Sequence, residues 1–191
     1  MRKIFLDIGA HNGQTLKKAL EVYPDMDLYI GIEPIPSMVK KCKEIKDPRV
    51  VIHNIALDML DVEEKKVEFF VDMSKGNHQC GSSLLKDKKM RKQSSIKINC
   101  IDVSAFFNRT FQEGDEVIMK IDVEGKEYDI FDSLISSGLL KKYVTKIHAE
   151  WHWHKVLSIT KERHNEILIA LNKLDYNLKG KSRADEFYCG F

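Results

Sequence analysis

"IFLDIGAHNGQTLKKALEVY", residues 4–23, decides the fold. Ile4 to Ile8 is short, mostly apolar and β-branched at its ends, the pattern of a buried parallel strand. Gly9 and Gly13 follow, where missing side chains let the backbone turn sharply and let a ligand come close. Behind them Leu16, Ala19, Leu20 and Tyr23 recur at helical spacing and share one face. Strand, glycine turn and helix in that order form the opening unit of an α/β sheet.

The same alternation continues along the chain. Leu28 to Ile32, Arg49 to Ile55, Val117 to Ile121 and Val144 to Ala149 read as further strands. Helical stretches lie between and after them: "PSMVKKCKEIK", residues 36–46, "KEYDIFDSLISSG", ending at Gly138 as a C-cap, and "ERHNEILIALNKL". The pattern predicts an open, mostly parallel sheet with helices on both faces. Residues 66–101 break the rhythm and read as two extra strands flanking a basic loop, inserted before the fourth core strand. The C-terminal "YNLKGKSRADEFYCGF" reads as an antiparallel hairpin that closes the sheet.

Bulk properties narrow the function. The chain has 191 residues, 43% hydrophobic and 31% charged, which fits one soluble domain over 1–191. A net charge of +2 excludes a strong global field for nucleic acid or acidic lipid. Cys42, Cys80, Cys100 and Cys189 form no C-x-x-C pair and no zinc-finger spacing. A chain this long needs no disulfide staple, so free thiols in a reducing, cytoplasmic compartment are expected. No apolar run reaches the ~18 residues of a membrane helix, and Asp7 interrupts the apolar start too early for a signal peptide.

In this kind of sheet a ligand sits beyond the carboxyl ends of the strands, where Asp7, Gly9 and Gly13 fall. A dinucleotide site favours G-x-G-x-x-G, which aims a helix N-terminus at a pyrophosphate. Here the spacing is G-x-x-x-G with a carboxylate before it. That acid is a poor neighbour for phosphate and a good one for an ammonium or sulfonium. Glu33 ends the second strand, where an acid can take both ribose hydroxyls. A nucleoside without phosphates and with a cationic amino-acid tail is S-adenosylmethionine.

"FLDIGAHNGQT", "GIEPIPSMV", "HNIALD", "GSSLL" and "IMKIDVEGKEYDIF" resemble, in this order, the signature segments of the FkbM-type methyltransferases. The resemblance runs from about residue 4 to residue 150, and "KIDVEGKE", residues 120–127, is its most specific part. It implies the Rossmann-like class I methyltransferase fold, with a seven-stranded sheet and an antiparallel C-terminal hairpin. It implies methyl transfer to a hydroxyl oxygen, of a sugar or other small-molecule or glycan acceptor. Carried over by position, Asp7, Gly9 and Gly13 line the methionine part of the cofactor, with His11, Asn12 and Thr15 in the same loop. Glu33, with Pro34 beside it, takes the ribose, and Asn54, Ala56 and Leu57 lie near the adenine. Asp122 stands beside the methionine end and the acceptor. Family members read G-A-N-x-G where this chain has His11 and Asn12 after Ala10, so the amide has moved one place along.

A sugar hydroxyl is weakly acidic, so a base helps remove its proton. Candidates cluster at two strand ends: Asp122 and Glu124, and "HAEWHWH", residues 148–154, which holds both tryptophans. Glu150 and His152 are favoured over His148, which lies further back in its strand. His152 and His154 would share a face if extended and could meet Asp122 or Glu124 at a divalent metal, although no metal is predicted from so short a pattern. Trp151 and Trp153 are read as core packing in preference to a stacking platform. The basic run 86–92 is read as a solvated loop. Its alternative is a phosphate grip for RNA, with methylation of a ribose 2′ hydroxyl by Asp122, Lys146 and Glu150. A non-catalytic nucleotide-binding module is the remaining alternative.

Overall fold

The computed structural model describes residues 1–74 and 79–176. Its elements, in chain order, begin with β1 (Lys3–Ile8), α1 (Gln14–Val22), β2 (Leu28–Ile32), α2 (Pro36–Cys42), β3 (Val50–His53) and β4 (Ala56–Asp58). They continue with β5 (Glu64–Asp72), β6 (Gln93–Asp102), α3 (Val103–Thr110), β7 (Glu116–Ile121) and α4 (Glu127–Ser136). Last come α5 (Leu139–Tyr143), β8 (Val144–Ala149), a 3-10 turn (Trp153–Lys155) and α6 (Lys161–Lys173).

β1 lies in the middle of a five-stranded sheet of order β3-β2-β1-β7-β8, parallel throughout. Its two faces are both covered, which is why its sequence is almost continuously apolar. Ile4, Leu6 and Ile8 join a core that α3, α4 and α6 close with Phe106, Phe107, Ile130, Phe131, Leu134, Ile167 and Leu171. Phe5 faces the other way, onto Leu16 and Ala19 of α1 and Cys42 of α2. Helices therefore cover both faces, as the alternating pattern requires.

Among the described residues the parallel sheet has five strands, and the two strands of 64–102 stand apart in a second sheet of order β4-β6-β5. β5 and β6 pair antiparallel, and β4 joins β6 in parallel. Ile35 and Met38 at the start of α2 fill the space against Phe69, Val71 and Ile98 of that sheet. The expected C-terminal hairpin lies outside the described residues.

Two other boundaries differ for local reasons. The third strand ends at His53, short of Ile55, because Asn54 turns its amide onto the carbonyls of Glu33 and Pro34 (3.0 and 2.9 Å). Ala56–Asp58 then crosses to the second sheet. α2 ends at Cys42, well before residue 46, through a short turn that leads to Asp47-Pro48. A residue before proline is pushed out of the helical region, so no helix could run past Asp47 in any case.

Candidate active site

The sheet sets the site through register. Gly31, Asp7, Lys120 and His148 lie side by side on β2, β1, β7 and β8, one row across four strands. Lys120 Nζ stands 3.0 Å from Asp7 Oδ1 and 3.6 Å from Asp122 Oδ2, and donates to the Gly9 carbonyl at 3.0 Å. Burial alone would lower the lysine's pKa, but the carboxylates of Asp7 and Asp122 outweigh it and the pKa is raised. Asp7 is wholly buried, and its own pKa is raised by that burial against the pull of Lys120. Its carboxylate thus anchors Lys120 beneath the glycine loop and does not line the cavity.

That loop is shaped by close approach. Gly9 has φ +93°, and a Cβ there would stand 2.0 Å from the Asp122 carbonyl oxygen. Gly13 (φ +81°) sits as the left-handed N-cap of α1 and packs on Cys42 and Ile45, so it supports the loop from behind. His11 also has positive φ, +49°. Its N–H donates to Glu33 Oε2, while Ile35 N–H donates to Glu33 Oε1, both at 2.8 Å. One carboxylate therefore ties the first strand-end loop to the second. Burial pushes the Glu33 carboxyl up to about 8, against these two backbone bonds.

A cavity of about 550 Å³ opens over these loops. Gly9, His11, Asn12 and Thr15 form one wall, Glu33 and Pro34 the next, and Ala56 and Leu57 the far side. Asp122, Glu124 and Glu150 close the near end, and Gln79 to Ser82, between β5 and β6, form the roof. Asn54 acts from outside, holding the Glu33–Pro34 backbone in place.

Behind the acids lies His152, fully buried. Its Nδ1 is 2.7 Å from Glu127 Oε1. A carboxylate can only accept, so Nδ1 carries a hydrogen and Nε2 faces the cavity side. Nε2 is 3.2 Å from Glu124 Oε2, 3.5 Å from Glu150 Oε1 and 3.7 Å from Asp122 Oδ1. Burial disfavours the imidazolium, but Glu127 and the other carboxylates prevail and raise the histidine's pKa well above its ordinary value. The acids diverge in turn. Burial lifts Asp122 to about 6 against Lys120 and His152, while for Glu124 the cations His152, Lys88 and Lys155 overcome burial and lower it. Two carboxylates in one site with pKa values driven apart are the usual mark of acid–base work.

The remaining expectations divide. His154 is exposed while His152 is buried, and the 3-10 turn at Trp153–Lys155 prevents the extended H-x-H pair. Trp151 is 1% exposed and packs on Tyr128, Phe131 and His164 at 5.2–5.6 Å, so it is core. Trp153 stacks on His164. Lys146 stands over the Tyr23 ring on β8 and is not among the residues lining the cavity. In the basic run Lys86, Lys89, Arg91 and Lys92 are exposed, whereas Lys88 is buried and reaches Glu124 Oε2 at 2.5 Å. A second basic stretch that could grip phosphates, "KGKSR" at residues 179–183, lies outside the described residues.

Sequence reasoning missed Lys120, Glu127 and Lys88. The first two bracket Asp122 within "KIDVEGKE", so the signal was the motif itself, with strand register placing Lys120 and the first helical turn placing Glu127.

The methyltransferase FkbM domain family matches residues 7–178. No curated protein matches the chain. Among solved structures, methyltransferase FkbM from Methylobacillus flagellatus KT is similar in fold, with a TM-score of 0.54 at 12% identity over 88% of this chain. The chain spans 37% of the length of that protein. The chain belongs to the FkbM methyltransferase domain family.

Proposed function

We propose that this member of the family is an S-adenosylmethionine-dependent methyltransferase acting on a hydroxyl oxygen of a sugar or other small metabolite. The observation that carries the reading is one cavity that joins the Gly9–Asn12 loop, the Glu33 carboxylate and the acids at Asp122, Glu124 and Glu150. Its size falls in the range of small-molecule sites. Its charged lining also fits the group. Carboxylates and a buried glutamate suit ribose hydroxyls, an ammonium and a sulfonium, and would repel a pyrophosphate.

Bound S-adenosylmethionine supplies an electrophilic methyl group whose leaving sulfur needs no proton. Glu33 accepts hydrogen bonds from the ribose, its position already fixed by the His11 and Ile35 amides. The Gly9 carbonyl and its neighbours, pinned by Lys120, receive the amino-acid end. The acceptor oxygen is held at the acid end of the cavity and aligned for in-line displacement, a positioning effect worth several kcal/mol. With the cofactor bound, methyl transfer would form the O–C bond and leave the S–C electron pair on sulfur, and the hydroxyl proton would pass to a carboxylate. Asp122, lifted to about 6, is best matched to take it near neutral pH. His152, held protonated by the acids around it, serves as counter-charge in this reading; the base role expected for it passes to Asp122.

The test is titration of S-adenosylmethionine into wild type and Glu33→Ala, followed by turnover assays of Asp122→Ala against a panel of sugars. A large loss of affinity in the first variant, with the fold retained, and loss of turnover in the second are expected. Unchanged affinity sinks the ribose assignment, and an active Asp122→Ala removes the base.

A further inference from the structure

We propose that Asp122, Glu124 and His152 hold a divalent cation of the Mn²⁺ or Mg²⁺ class at the acid end of the cavity, with Glu127 orienting the imidazole toward it. One donor atom from each of the three lies within 4.8 Å of the others. Nε2 of His152 is 3.2 Å from Glu124 Oε2 and 3.7 Å from Asp122 Oδ1. Donors about 2.1 Å from one octahedral cation stand about 3 Å apart at right angles, so Glu124 already lies near that spacing from Nε2 and Asp122 must move somewhat closer.

The second observation is a buried donor atom left unsatisfied. Nε2 of His152, whose side chain is 0% exposed, makes no hydrogen bond and is surrounded by the Glu124, Glu150 and Asp122 carboxylates. Buried polar atoms left this way in a native protein call for a partner.

The support behind the histidine matches a ligand better than a bystander. Ligating histidines almost always donate their other ring N–H to a carboxylate, which fixes tautomer and ring plane. Glu127 does this at 2.7 Å, itself fully buried. The Glu124 backbone is held at φ +58°, an unfavourable conformation for a residue with a side chain, and Ser83 Oγ donates to its carbonyl at 2.8 Å. Two carboxylates, one imidazole and no thiolate favour a hard or borderline cation. Lys88 Nζ, 2.5 Å from Glu124 Oε2, is the positive charge the metal would share or displace.

Resting on the methyl-transfer reading, the cation gives the acceptor a place. Asp122 and Glu124 both face the cavity, so open coordination positions point at the hydroxyl and lower its pKa. Asp122 then acts as a ligand, and Glu150, 3.5 Å from Nε2, is the carboxylate left to receive the proton.

The experiment is a titration of Mn²⁺ into the purified chain without cofactor, read by the electron paramagnetic resonance of free Mn²⁺. One saturable site is expected. Asp122→Asn and Glu124→Gln should each weaken it at least tenfold, and Glu127→Gln by about 10–100-fold, with circular dichroism reporting the fold. Because His152 must lose a proton to coordinate, calorimetric binding enthalpy should depend on the buffer's own ionisation enthalpy. No saturable site in the wild type, or affinity indifferent to both Asp122→Asn and Glu124→Gln in folded variants, overturns the proposal. His152 is then an imidazolium bridging Glu127 and Glu124. A separate titration with S-adenosylmethionine keeps the two ideas apart: cofactor binding without Mn²⁺ binding rejects the metal alone, and Mn²⁺ binding without cofactor binding supports the metal while rejecting methyl transfer.

Discussion

Removing the Glu127 carboxylate should damage both stability and the site. Its Oε1 accepts from Val123 N–H (3.2 Å) and His152 Nδ1 (2.7 Å), and its Oε2 accepts from Gly125 N–H (2.9 Å). All three donors serve the segment that carries Asp122 and Glu124. In Glu127→Ala they have no acceptor, and each buried orphan costs about 1–3 kcal/mol, so about 3–9 kcal/mol is expected in total. A typical domain has about 5–15 kcal/mol to lose, which leaves this variant close to unfolding. Glu127→Gln keeps the volume and one acceptor oxygen, but its amide presents hydrogens to Nδ1–H; about 1–3 kcal/mol is expected. Urea denaturation followed by far-UV circular dichroism measures both. A loss below about 1 kcal/mol for Glu127→Ala would show that the carboxylate does not organise the turn.

Three more outcomes can be stated together. Gly9→Ala puts a Cβ 2.0 Å from the Asp122 carbonyl at φ +93°, so the β1 and β7 loops must separate; a cost of at least about 1–3 kcal/mol and weakened cofactor binding are expected, and a thermal melt matching wild type would contradict it. Burial holds the Glu33 carboxyl up at about 8, whereas binding ribose favours the carboxylate; affinity for S-adenosylmethionine should rise from about pH 6 to about 8 and then level, and a flat calorimetric profile would refute the assignment. Arg2 beside Asp115 depresses that carboxyl to about 2 from its ordinary 3.8. Its contribution is therefore present above about 3.8 and lost as pH falls toward about 2, and Asp115→Asn should flatten the wild type's acid limb in stability measured across that window.

Much of this was legible because of periodicity. β2 and β8 fall where their apolar runs lie, and α1 follows from four residues on one face. Short or context-dependent elements were not legible. β4 is three residues set by a partner strand more than forty positions away. α5 has five residues, started by left-handed Gly138, which also looked like the end of α4. At the site, Asp122 and Glu124 were visible from their place after a strand. Glu127 and Lys120 looked like ordinary charged residues, since nothing local says that a glutamate in the first turn of a helix is buried. The pairing of Asp7 with Lys120 was not legible for the same reason: it follows from strand register, which no local pattern shows.

The most direct measurement is isothermal titration of the purified chain with S-adenosylmethionine and, separately, with NAD. The account predicts saturable binding of S-adenosylmethionine alone, at micromolar levels or about −8 kcal/mol. Binding of NAD in its place, or of neither ligand by a folded sample, would contradict it.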